Sequence, residues 1–110
     1  MQDVTLVLCT APVDGARALV DRLLEERLVA CANMIQPVVS RYVWKGVVEE
    51  SEEAVLLLKT RSDLCERLRA RIAELHSYEV PEILELPVGG GLEAYLGWVA
   101  ESCREPDEEG

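Results

Sequence analysis

Residues 29–60, VACANMIQPVVSRYVWKGVVEESEEAVLLLKT, decide the fold. From Val29 to Trp44 the stretch is strand-like. Val38, Ser40, Tyr42 and Trp44 point one way and Val39, Arg41, Val43 and Lys45 the other, the two-residue period of a β-strand. Trp44-Lys45-Gly46-Val47 predicts a hairpin, with Gly46 supplying a positive φ. The return strand runs through Glu49–Glu53 to Thr60. Its charged outer half beside an apolar inner half predicts a long hairpin whose tip projects beyond the core. Glu49/Glu50 and Glu52/Glu53 are expected to form a solvated face, and Asn33 and Pro37 predict a bulge or kink in the first arm.

Working outward, Val4–Cys9 is a short buried strand, broken by Ala11-Pro12-Val13-Asp14-Gly15, with Asp14 as a helix N-cap. Ala16, Leu19, Val20, Leu23, Leu24 and Leu28 then recur at helical spacing. Ser62 caps a second helix that turns Leu64, Cys65, Leu68, Ile72 and Leu75 inward. The loop His76–Pro81 leads to a strand over Glu82–Val88, where Pro87 fits an edge or a strand end. Gly89-Gly90-Gly91 is a flexible stop rather than a phosphate cradle, since no lysine or G-x-G-x-x-G register follows. A last helix carries Leu92, Tyr95, Leu96, Val99, Ala100 and Cys103 on one face. The order β-α-β-β-α-β plus a helix is an α+β, ferredoxin-like arrangement, one sheet with two helices on one face.

A chain of 110 residues makes one domain, expected over 1–104 with an acidic, disordered tail at 105–110. With 49% hydrophobic and 29% charged residues it is globular. Eleven bases against 21 acids (net −10) disfavour a nucleic-acid partner, which needs a cationic stripe. No apolar run approaches the ~18 residues of a membrane span, and Met1-Gln2-Asp3-Val4 lacks the basic start of a secretory signal. A cytoplasmic protein is therefore expected. Cys9, Cys31, Cys65 and Cys103 form no C-x-x-C pair, so they are expected as reduced thiols rather than a disulfide framework.

Six blocks resemble the CutA divalent-cation tolerance proteins, in that family's order and across residues 4–100. They are Leu8–Pro12, Leu28–Asn33, Tyr42–Gly46, Leu58–Thr60, His76–Glu82 and Tyr95–Val99. The resemblance implies a cytoplasmic, ferredoxin-like homotrimer related in fold to the PII signalling proteins. Independently, an arm too long for a two-helix domain leaves backbone groups that another chain can pair. Tyr42 and Trp44 near its tip suit an interface, with a ligand pocket or plain exposure as the other readings of Trp44.

The candidate metal ligands are Cys9, His76 and Glu82. Cys9 ends the first strand just before a helix start, where a thiolate would be stabilised. In a ferredoxin-like sheet the first and fourth strands are antiparallel neighbours, which brings Cys9 and Glu82 towards one rim beside the His76 loop. Thiolate, imidazole and carboxylate suit copper or zinc. The resemblance implies the same three positions as copper ligands, although some members carry two adjacent histidines where this chain has Leu75-His76. Each residue also has a plainer role: Cys9 as core filler, His76 as a hydrogen-bonded loop residue, Glu82 as a structural or subunit-bridging carboxylate. Catalysis finds little support, since the only Cys/His dyad the sequence offers is Cys9–His76. The function expected is a trimeric protein of divalent-cation or copper tolerance that binds its ion weakly. The alternative is a PII-like signalling or scaffold trimer with a small ligand or protein partner in its inter-subunit clefts.

Overall fold

The computed structural model describes residues 3–105. The elements run β1 (Val4–Pro12), α1 (Val13–Glu25), β2 (Cys31–Trp44), β3 (Val47–Arg61), a 3-10 turn (Ser62–Leu64), α2 (Cys65–Leu75), β4 (Ile83–Pro87) and α3 (Glu93–Ser102). The sheet order is β2-β3-β1-β4, with every neighbouring pair antiparallel. This is the α+β, ferredoxin-like order expected from the pattern.

Alternation along β1 and β3 sorts the sheet into two faces. Val7, Cys9 and Ala11 sit opposite Leu58, Leu56 and Ala54, and all six are buried against Ala16, Leu19, Val20 and Leu23 of α1 and Leu68 and Ile72 of α2. A smaller cluster of Val4, Leu64, Val99 and Cys103 is closed by α3. The helices are also tied through charge: the Arg71 guanidinium forks onto both Glu26 carboxylate oxygens at 2.8 Å. That pairing holds the Glu26 carboxyl below its usual range.

The opposite face is covered by α3 at its Val4 end and carries a partly open leucine patch beyond it. Leu57, Leu8 and Leu84 form one row across β3, β1 and β4, and Leu86 sits beside Leu6 in the next. Leu84, Leu86 and Ile35 are exposed, as are Tyr42, Trp44 and Val47 on the arm. The arm is as long as its sequence implied. Fourteen residues of strand reach about 46 Å, and the molecule's longest dimension is 45 Å.

Several boundaries differ from the expectation. β1 continues through Ala11 and Pro12 because both pair with β3, so α1 starts directly at Val13. Asp14 therefore lies in the first turn rather than at the cap, where its charge faces the positive helix end. α1 stops at Glu25, and Arg27 at φ +61° turns the chain so that Leu28 is buried outside the helix. The Ser62 hydroxyl bonds Thr5 across the sheet at 2.7 Å and caps nothing. On α3, Leu92 is 75% exposed and Tyr95 and Trp98 are also exposed, so the inward face narrows to Val99, Ala100 and Cys103 with Leu96. The bulge falls between Ile35 and Val38, around a cis Gln36–Pro37 bond. Of the expected acidic tail, 106–110 lies outside the described residues.

The hairpin closes with two residues, Lys45 at φ +51° and Gly46 at φ +80°, the signature of a type I′ turn. Gly46→Val is expected to lower stability by about 1 kcal/mol or more in urea titration, because a β-branched side chain resists that backbone. Lys45→Gly should cost less; the reverse order would contradict this turn.

Candidate functional site

β1 and β4 bring two of the expected ligands to one rim. Cys9 is the register partner of Ile83, so Glu82 sits next to it in sequence at the start of β4. The alternation of the sheet then parts their side chains. Ile83 packs into the same helix-covered core as Cys9, and Glu82, one residue earlier, is exposed. Cys9 is 0% exposed and its thiol approaches the Thr10 carbonyl at 3.5 Å. Burial first, then the charges of Glu82 and Glu53, push that thiol up to about 12. The expected thiolate is thus reversed: removal from water and two nearby carboxylates favour the protonated form.

His76 is fully engaged by the protein. Its Nδ1 accepts a hydrogen bond from the Tyr78 backbone N–H at 3.1 Å, which places the proton on Nε2. Nε2 then donates to the Thr10 carbonyl at 2.7 Å. The ring lies tilted against Tyr78, centroids 4.7 Å apart. Its geometry is that of a clamp holding the 76–82 loop to the end of β1. Neither ring nitrogen has a lone pair free for a metal. As arranged, Cys9, His76 and Glu82 share a rim, with the Cys9 and Glu82 side chains on opposite faces of the sheet and both His76 ring nitrogens hydrogen-bonded within the protein. Among the described residues, no three His, Cys, Asp or Glu side chains gather into a group that could hold a metal ion.

What the rim does form is a cleft of about 750 Å³ between the hairpin arm and the 76–82 loop. The arm contributes Tyr42, Trp44, Glu49 and Glu53, and the loop contributes Tyr78 and Glu79. Glu53, expected on a solvated face, is only 6% exposed. Its Oε2 accepts a hydrogen bond from the Tyr78 hydroxyl at 2.8 Å. Burial, followed by that bond and the carboxylate charge, pushes the Tyr78 phenol up to about 12. The strand pairing Pro12 with Glu53 draws this carboxylate against the body of the domain while Glu52 remains outside.

Residues 5–102 match the family model described as CutA1 divalent ion tolerance protein. The chain belongs to the CutA1 family. It is 42% identical over 98 residues to the divalent-cation tolerance protein CutA of Thermus thermophilus, covering 88% of this chain and 95% of that one. The crystal structure of CutA1 from Oryza sativa superposes with a TM-score of 0.91 at 34% identity, covering 94% of this chain and 96% of that one. CutA from Archaeoglobus fulgidus, described as a periplasmic divalent cation tolerance protein, gives 0.86 at 34%, with 90% and 97% covered. The CutA1 fold is therefore shared nearly end to end. Among the described residues, no helix is long and apolar enough to cross a membrane.

In the native protein at pH 8, Cys9 is expected to resist thiol alkylation and to label only after denaturation, as peptide mapping by mass would show. The folded thiol titrates near 12 against a usual 9.0. The Cys9 contribution to stability should therefore be level below pH 9 and fall from there towards pH 12, where the unfolded chain releases its proton first. Cys9→Ala should make the alkaline decline shallower, with the raised Tyr78 phenol still contributing to it above pH 10; an unchanged slope would assign the whole decline to other groups.

Proposed function

We propose that the chain acts in divalent-cation tolerance as a cytoplasmic homotrimer, a binding protein rather than an enzyme, that holds a metal ion loosely, with copper the leading candidate. One observation carries this: the leucine patch left open on the sheet face beyond α3, with Leu57, Leu8 and Leu84 in one row. Such a face is a poor monomer surface, and a closed ring of three copies buries it in each. The arm, carrying Tyr42 and Trp44 away from the domain's own core, supports the same assembly.

The state of the expected ligands supports loose binding. Recruiting Cys9 requires a buried thiol to lose a tightly held proton. Recruiting His76 requires it to release either the Thr10 carbonyl or the Tyr78 amide. Both costs subtract from metal affinity. The same two facts support a non-enzymatic role, since a protonated thiol and a committed imidazole make a poor nucleophile–base pair.

A second reading is favoured by the cleft, whose volume lies in the range of small-molecule sites. On that reading the trimer is a PII-like signalling or scaffold protein, and the cleft takes a small ligand.

Light scattering behind size exclusion at low micromolar concentration is expected to give three times the 12.2 kDa chain mass. Leu84→Arg, on the open face, should shift it towards monomer, and a monomeric wild type would sink the assembly. Copper titration should give a Kd weaker than about 1 μM, an affinity below about 8 kcal/mol. Cys9→Ala and Glu82→Gln should weaken it several-fold; equal affinities would retire both as ligands.

A further inference from the structure

We propose that Cys31 and Lys59, facing each other across β2 and β3, form a sulfur–nitrogen crosslink under hydrogen peroxide. The two are register partners, so their side chains rise side by side from one face of the sheet. The Lys59 stem lies along β2 instead of reaching for water. Its Nζ meets Cys31 Sγ at 3.9 Å and donates to Asn33 Oδ1, two residues further along the same strand. Tyr95 of α3 closes another side of the thiol. Burial, followed by the charge of Cys31 and a hydrogen bond to it, pushes that phenol up. None of these four residues belongs to the rim that holds Cys9, His76 and Glu82.

Access and neighbours set Cys31 apart from the other thiols. Cys9, Cys65 and Cys103 are buried, and burial pushes each of those thiols up, whereas Cys31 is only half-buried. The chain has two lysines, and the other, Lys45, stands at the tip of the arm. Peroxide is the oxidant. The Cys31 sulfur attacks its O–O bond and takes one oxygen, giving a sulfenic acid and water, and sulfur gives up two electrons. Lys59, having shed its extra proton to water, then displaces the hydroxyl from sulfur with its nitrogen lone pair. An S–N bond forms, the S–O bond breaks, and the hydroxyl leaves with an amine hydrogen as a second water. Thiol, amine and peroxide thus become a sulfenamide and two waters. The two backbones are already paired, so closing the gap needs only rotation about the lysine's four-carbon stem. The product lacks the Lys59 charge, next to Leu57 at the border of the open leucine patch.

Treating the native protein with a few equivalents of hydrogen peroxide at pH 8, then taking intact mass and a tryptic map, tests this. The product is expected to be two hydrogens lighter than the starting chain. Its Cys31 and Lys59 peptides should be joined, with no cleavage after Lys59, and dithiothreitol should reverse the change in full. Lys59→Arg keeps the positive charge without a nucleophilic amine. It should stop at a Cys31 sulfenic acid, one oxygen heavier and captured by dimedone. Cys31→Ser should restore cleavage after Lys59. A two-hydrogen loss that persists in Lys59→Arg would assign it to a disulfide and overturn the proposal. So would a wild-type product that stops at the one-oxygen stage, or oxidation of Cys9, Cys65 or Cys103 ahead of Cys31. A joined peptide pair that carries an added oxygen would overturn the S–N bond in favour of an N–O–S bridge.

Discussion

The placement of β1 between β3 and β4 governs the rest of the molecule. It joins the β2–β3 hairpin to β4 through antiparallel ladders on both sides, so its two-residue period is imposed on β3 and β4 as well. Val7, Cys9 and Ala11 build the helix-covered core, and Leu6, Leu8 and Thr10 belong to the other face. Because the side-chain period is two, this assignment is all or nothing. It fixes where the thiol is sealed, where the leucine row is displayed, and which carbonyl receives the His76 ring.

Much of the fold was legible because its signals are local and repeated. The helix stripes, the long arm, the Gly46 turn and the irregularity near Pro37 all rest on patterns of several residues that agree. The element boundaries were less so. Pro12 was a strand breaker by propensity but is held in β1 by its pairing with Glu53, and Ser62 was a cap by chemistry but is taken by Thr5. In both cases a distant partner outweighed a nearby preference, which is the ordinary way that tertiary contacts override local tendency.

The candidate site was half legible, for a related reason. Topology alone places Cys9 beside the start of β4, and the influence of the Glu82 charge on that thiol agrees. Side-chain direction did not follow from topology. Whether Cys9 looks into the core depends on which phase of the alternation β1 adopts, and residues 4–12 are too apolar throughout to declare it. Glu53 is the opposite case: a charged residue in a charged run reads as solvated until the 76–82 loop folds over it and Tyr78 supplies its one donor. A loop closing on a strand some 25 residues away leaves no mark in either segment on its own.

The two-residue turn at Lys45-Gly46 carries a consequence for how this chain can vary over evolutionary time. Beyond the Pro37 bulge, β2 and β3 stay paired one for one to the tip. A single-residue insertion in either arm would invert every outward position between it and the turn, moving Tyr42, Trp44 and Glu49 off their shared face. Lengthening by matched pairs, one residue in each arm, would also invert the tip unless done twice over. Length changes in descendants of this sequence should therefore collect in the glycine run at 89–91, while the arm is inherited as a fixed measure.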